Sequence, residues 1–219
     1  MLRRTWLVLP LLLALLIVPT GAANAKLVVN ESGTLTELAA EWYEDGGESW
    51  TWGYAFAYTM NRETRIEFYT STETPLYPSE PDEPMCWEYS YTYAEGPGTL
   101  VAGKRFETGY AEGSLQGWSE TSIWCEGDWD EEIGVMNGPT NGGDAFTVDV
   151  TIDFAATSPL YRQKGSGSFK LPGEFNEHYR YSSEYRLGEA EIGVDEETLH
   201  SDWALLGSLK YKYHLNTKW

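Results

Sequence analysis

The segment Trp50-Thr51-Trp52-Gly53-Tyr54-Ala55-Phe56-Ala57-Tyr58 decides the fold class. Its large side chains fall at every second position and its small ones at the positions between. That is the two-residue period of a β-strand, in which neighbouring side chains leave opposite faces of the sheet. Four other stretches repeat it. Trp87, Tyr89, Tyr91 and Tyr93 alternate with Glu88, Ser90 and Thr92, and Phe146, Val148, Val150, Ile152 and Phe154 alternate with Thr147, Asp149, Thr151 and Asp153. Tyr179, Tyr181, Tyr185 and Leu187 follow, and Leu209, Tyr211, Tyr213 and Leu215 close the chain. Weaker strands fit residues 64–71, 105–111 and 117–125.

The spacing therefore predicts an all-β domain, a single antiparallel β-sandwich or closed β-barrel of about eight to nine strands. Periodicity does not separate the two, and the sandwich is slightly favoured. Faces that alternate argue against a buried parallel sheet. Turns are expected at Asp45-Gly46-Gly47, Glu95-Gly96-Pro97-Gly98, Asn137-Gly138-Pro139 and Asn141-Gly142-Gly143, with a proline-rich surface loop over 75–84. Two segments are ambiguous. Leu35, Leu38, Ala39 and Trp42 have helical spacing behind a Thr34/Glu37 capping box, but a strand leading into the Asp45-Gly46-Gly47 turn fits equally well. Residues 195–206 could include a helical turn.

Residues 1–25 read as a secretory signal, with Arg3 and Arg4, an apolar run from Leu7 to Val18, and Ala23-Asn24-Ala25 as the cleavage site. The run, about a dozen residues, is too short to cross a bilayer. The mature chain is then a single domain, residues 26–219, secreted, with no membrane span after cleavage. The full sequence carries 34 acidic and 15 basic residues, a formal charge of −19. Two of those bases leave with the signal. A nucleic-acid partner is not expected, because it requires a basic footprint. Aromatics at 15% exclude a disordered acidic tail. In an oxidising compartment the only two cysteines, Cys86 and Cys125, are expected to form one disulfide.

Four candidate sites follow. The aromatic rows, represented by Trp52, Trp87, Tyr89, Tyr91 and Trp118, suit stacking on sugar faces if they point outward. Large side chains normally turn inward, so the first expectation is that these rows are core. A buried disulfide would reverse that, since Cys86 and Trp87 leave opposite faces, as do Cys125 and Trp124. Second, Asp128, Asp130 and Glu132 in the acidic run after Cys125 are candidate calcium ligands, the only cofactor the sequence suggests. Third, a hydrolase would need a carboxylate pair from Glu88, Asp149 and Asp153, although 34 acids make chance pairs common. No catalytic residue is assigned. His178, His200 and His214 lack metal spacing, Gly165-Ser166-Gly167-Ser168 is not a nucleophile elbow, and Asn30-Glu31-Ser32 is a glycosylation sequon. Fourth, the alternation from Leu209 to Trp219 resembles the closing strand of an outer-membrane β-barrel, while Lys210, Lys212 and Lys218 would equally protect a soluble edge strand.

The order Val148–Phe154, Ser158-Pro159-Leu160, a Ser-rich strand and Leu171-Pro172-Gly173 resembles uncharacterised secreted all-β proteins of Gram-positive actinobacteria. That resemblance implies export and transfers no site. Together these readings point to a non-enzymatic binding or surface-interaction protein with a cell-surface glycan or protein as partner. A sugar-polymer hydrolase and an outer-membrane barrel are the alternatives.

Overall fold

The structure is a computed structural model that describes residues 28–77, 85–125, 129–130, 135–136, 140–171 and 175–217. The strands are β1 (Val28–Asp45), β2 (Trp50–Met60), β3 (Glu63–Leu76), β4 (Cys86–Ala102), β5 (Thr108–Cys125), β6 (Trp129–Asp130), β7 (Val135–Met136), β8 (Thr140–Ala156), β9 (Tyr161–Leu171), β10 (Phe175–Val194) and β11 (Glu197–Thr217). β6 and β7 pair only with each other; the other nine strands form one antiparallel sheet. Because β11 pairs with both β1 and β10, β1, β2, β3, β4, β5, β8, β10 and β11 close into a ring. The architecture is the barrel, the less favoured of the two expected forms.

Eight strands enclose a space just wide enough for side chains to fill. Here the filling alternates between strands. β2 contributes Gly53, Ala55 and Ala57, and β4 contributes Ala94 and Gly96, all buried. Against these small residues stand Leu38 and Trp42 of β1, Ile66 and Phe68 of β3, Val148, Val150, Ile152 and Phe154 of β8, Ile192 of β10 and Leu206 of β11. The Trp42 ring stacks on Phe68 with centroids 5.6 Å apart. It lies over Gly53, its cross-strand partner, where an added Cβ would collide with the Trp42 indole and come within 2.6 Å of the Tyr69 carbonyl oxygen.

The large rings of β2 and β4 therefore point outward, which overturns the expectation that they are core. On β8 the expectation holds: Phe146, Val148, Val150, Ile152 and Phe154 share the inner face. The ambiguous segment over 34–43 is strand, paired with both β11 and β2, because its apolar side chains close the ring along two seams. The Asp45-Gly46-Gly47 turn forms as expected, with Gly47 at φ 83° and its N–H donating to Asp45 Oδ1. Residues 197–206 are strand as well.

Two expected turns are instead strand interior. Glu95-Gly96-Pro97-Gly98 runs through β4, because its glycines face inward beside Leu115 and Ile66. Asn141-Gly142-Gly143 lies at the start of β8. The tight β2–β3 turn is made by Asn61 and Arg62, both at positive φ, with Met60 opposite Glu63. Asn137-Gly138-Pro139 and residues 1–25 lie outside the described residues, as does 78–84 of the proline-rich loop.

β8 and β9 together form one long partner of β10, interrupted at residues 157–160. There Arg186 anchors the lower mouth of the barrel, its Nε donating to the Arg105 carbonyl at 2.9 Å and Nη1 to the Ser158 carbonyl at 2.6 Å. Below this level β9, β10, β11 and β1 continue as a four-stranded sheet beyond the ring.

Filling the Gly53 position tests this packing. Gly53→Ala should lower the urea midpoint at unchanged m-value, a loss of about 1–3 kcal/mol by overpacking. Adding Trp42→Phe should recover part of it, since the smaller ring yields space and removes a buried indole N–H that has no hydrogen-bond partner. Additive losses in the double variant would contradict the packing described.

Candidate functional site: the aromatic outer wall

The outward residues of β2 to β5 form a continuous field of rings. Cross-strand register puts Tyr54 beside Tyr69, Tyr69 beside Tyr93, and Tyr93 beside Trp118. This row crosses four strands, about 14 Å. A second row sets Trp52 beside Ser71, Ser71 beside Tyr91 and Tyr91 beside Glu120. Ring contacts join the rows, with Trp52 5.3 Å from Tyr69 and Tyr91 5.1 Å from Trp118 in an edge-to-face pair, and within the first row Tyr54 lies 5.5 Å from Tyr69. Offset and edge-to-face arrangements of this kind stabilise beyond area burial, and they hold the rings in fixed orientations.

Polar groups are fixed among the rings. Tyr91 Oη donates to Glu120 Oε2 at 2.7 Å, and this bond pushes the phenol up to about 12. Tyr69 and Tyr89 hydroxyls share a bond of 2.9 Å, and Trp50 Nε1 donates to Glu73 Oε2 at 3.2 Å. Trp52 and Trp118 stand at the two sides of the field, 42% and 44% exposed. The field is thus a wall of half-covered rings bordered by carboxylates, with a wide-open tryptophan on either side.

Cys86 and Cys125 are bonded across the first register pair of β4 and β5. They share the inner-face parity of Ala94 and Gly117, so Trp87 and Trp124 fall on the outer face. Those two indoles stack at 4.2 Å and 14°. Of the five aromatic candidates, Tyr89, Tyr91, Trp52 and Trp118 join one field, and Trp87 stacks with Trp124 at its upper border.

The carboxylates do not converge. Asp149 and Asp153 are exposed on the outer face of β8, whereas Glu88 has the inner-face parity of Cys86 on β4. This trio forms no site. Asp128 and Glu132 lie outside the described residues, and for Asp130 only the backbone pairing of β6 with β7 is described. Among the described residues no group of three or more His, Cys, Asp or Glu side chains is arranged to hold a metal ion.

Below the ring field the outer wall is acidic. Glu67 sits opposite Glu95 on the neighbouring strand. Burial pushes the Glu67 carboxyl upward, Glu95 adds to the rise, and Arg65 opposes it. Burial raises Glu37 as well. Sequence reasoning missed the Glu67–Glu95 pair, because their spacing is meaningless until β3 and β4 are placed in register.

No family model matches the chain, and no curated protein matches it. Among solved structures the chain is similar to Neisserial surface protein A, at 9% identity and TM-score 0.27, over 87% of this chain and 99% of that one. It is also similar to the outer-membrane protease OmpT of Escherichia coli, at 8% identity and TM-score 0.19, over 91% and 99%. At such scores neither likeness transfers a residue role.

The raised carboxyls set a pH dependence. An acid whose folded pKa lies above its unfolded value contributes stability below the ordinary carboxylate range and loses it as pH rises through the raised value. Melting temperature should therefore be higher near pH 5 than near pH 7.5. Glu67→Gln should raise it at pH 7.5 and change little near pH 4. An equal effect of Glu67→Gln at both pH values would refute the assignment.

Proposed function

We propose that this chain is a secreted, non-enzymatic binding protein whose aromatic outer wall on β2–β5 stacks against the sugar rings of a cell-surface polymer. One observation carries the reading: large rings that a β-domain normally buries are held outside the barrel, interlocked, with Trp52 and Trp118 open to solvent. Sugar C–H faces meet the negative face of an indole or phenol, and the flanking Glu73 and Glu120 can accept hydrogen bonds from hydroxyls. A wall of this kind suits an extended ligand lying across strands. The Cys86–Cys125 disulfide supports export.

The outer-membrane barrel is the competing reading, favoured by the closed antiparallel ring and by outward aromatic rows. Among the described residues no helix is long and apolar enough to cross a membrane, which does not bear on a barrel. The distribution of polarity bears on it directly. Membrane barrels carry apolar residues outside and a polar lumen. Here the lumen is packed with leucine, isoleucine, valine and phenylalanine, and Glu67, Glu95, Glu112, Asp149 and Glu191 stand on the outer wall. That pattern supports a barrel surrounded by water.

Two measurements test the proposal. The mature protein should be recovered from culture medium without detergent; recovery only from a membrane fraction would establish the competing reading. Insoluble polysaccharides of several linkages should co-sediment the protein and quench its tryptophan emission. Trp52→Ala/Trp118→Ala should weaken that binding severalfold with melting temperature little changed. Retention by no polysaccharide, or undiminished retention of the double variant, would overturn the proposal.

A further inference from the structure

The described bases of this acidic chain are confined to one end. Every described Lys and Arg lies at the lower turns of the barrel (Arg62, Arg65, Lys104, Arg105) or on β9–β11. The face of the lower sheet that continues the barrel interior carries six of them, Arg162, Lys164, Lys170, Arg180, Lys210 and Lys212. Register proves the shared face. Arg180 lies opposite Ser166 of β9 and Lys212 of β11, and Lys212 lies opposite Ser32 of β1. One residue pair further up, Lys164, Ser182, Lys210 and Thr34 make the next row; one pair further down come Ser168, His178, His214 and Asn30.

Among the described residues the only acid on that face is Glu184, which Arg162 engages at 2.8 Å, while Glu31, of the opposite parity, also borders the groove. Among the described residues the other five cations have no ion pair. Arg180 and Lys212 face each other directly, a like-charge cross-strand pair that costs stability unless an anion lies between or over them. Short serines, threonine and asparagine separate the cations, so the floor is open: a groove of about 670 Å³ is lined by Ser32, Ser166, His178, Arg180, Lys212 and His214 among others. The tyrosines of the same strands leave by the opposite face, where Tyr179 and Tyr181 lie over Gly167 and Gly165.

We infer that this groove is a binding site for a linear polyanion bearing repeated phosphate or sulfate groups. Three features select a polymer. Cations recur at about 5 Å across strands and about 7 Å along them, close enough to engage successive anionic groups of one chain. The face holds a groove of about 670 Å³, so a thread can reach its floor, whereas a flat bilayer meets only its rims. Every described base lies at this end, so the local field over the groove differs from what the net charge of −19 implies for the chain as a whole. The site lies on different strands and a different face from the aromatic wall, and neither depends on the other.

The test uses the mature protein and end-labelled inorganic polyphosphate, read by fluorescence anisotropy from 50 to 300 mM NaCl. Binding should be present at 50 mM and fall with salt at a log–log slope steeper than about −2, from counterion release at several cations. Arg180→Glu/Lys212→Glu should weaken binding at least tenfold at 100 mM salt, while Trp52→Ala/Trp118→Ala leaves it unchanged. Arg180→Gln/Lys212→Gln guards against misfolding: it should be at least as heat-stable as the native chain, since it removes the like-charge pair, and still bind weakly. Competition by heparin would extend the site to sulfates, and its failure to compete would assign the site to phosphates. Absence of binding at 50 mM NaCl would overturn the inference. So would undiminished binding of either charge variant, or tighter capture by phosphatidylglycerol vesicles than by the polymer.

Discussion

The limited bore of an eight-stranded ring is the constraint on which the rest of this structure depends. A ring that narrow cannot take a tryptophan or phenylalanine from every strand. β1, β3 and β8 fill it, and β2 and β4 must bring glycine and alanine to the same level. Once Gly53, Ala55 and Ala57 face Trp42 and Phe68, the alternation of β2 obliges Trp52, Tyr54, Phe56 and Tyr58 to stand outside. The outer aromatic wall is thus a geometric consequence of how the core is divided among strands. What distinguishes it from incidental exposure is that its rings touch one another and its hydroxyls are bonded.

Charge is organised along the same axis. Carboxylates are spread along the outer wall, and Glu67, set opposite Glu95, has its carboxyl pushed upward by burial and by that neighbour. The cations are collected below, on strands that leave the ring. The net charge therefore does not describe the end where the described bases gather. Acidity summed over the chain argued against a nucleic-acid partner, and that sum averages over the local gathering of bases on β9–β11.

The two-residue period was legible throughout, and with it the all-β class and nearly every long strand. The Cys86–Cys125 bond was legible from the cysteine count and the expected secretory signal. What alternation could not supply was the sense of each face. Trp50–Tyr58 and Phe146–Phe154 have the same periodicity, yet one turns its large residues out and the other in, because inside and outside are properties of the closed ring. The turn signals at Glu95–Gly98 and Asn141–Gly143 misled for a related reason: glycines serving a crowded inner face look the same in sequence as glycines serving a reversal. The cationic groove was invisible because its residues come from β9, β10 and β11, each with two or three bases among tyrosines and serines. Only antiparallel register places Ser166, Arg180, Lys212 and Ser32 in one row.

The lower sheet also explains why its strands alternate tyrosine with base. Among the described residues no second layer covers either face beyond the ring, and Phe169 and Leu171 stand exposed there. Tyrosines laid flat over Gly165 and Gly167 cover backbone on one side while keeping their hydroxyls in water. On the other side charge takes the place of a core, and the bases of β9 also guard a strand edge that would otherwise pair with a second chain. Edge protection alone would be satisfied by charges on β9. It does not account for Arg180, Lys210 and Lys212 on the central strands, set against one another without counter-charges, and it is this excess over structural need that marks the face as built to receive anions.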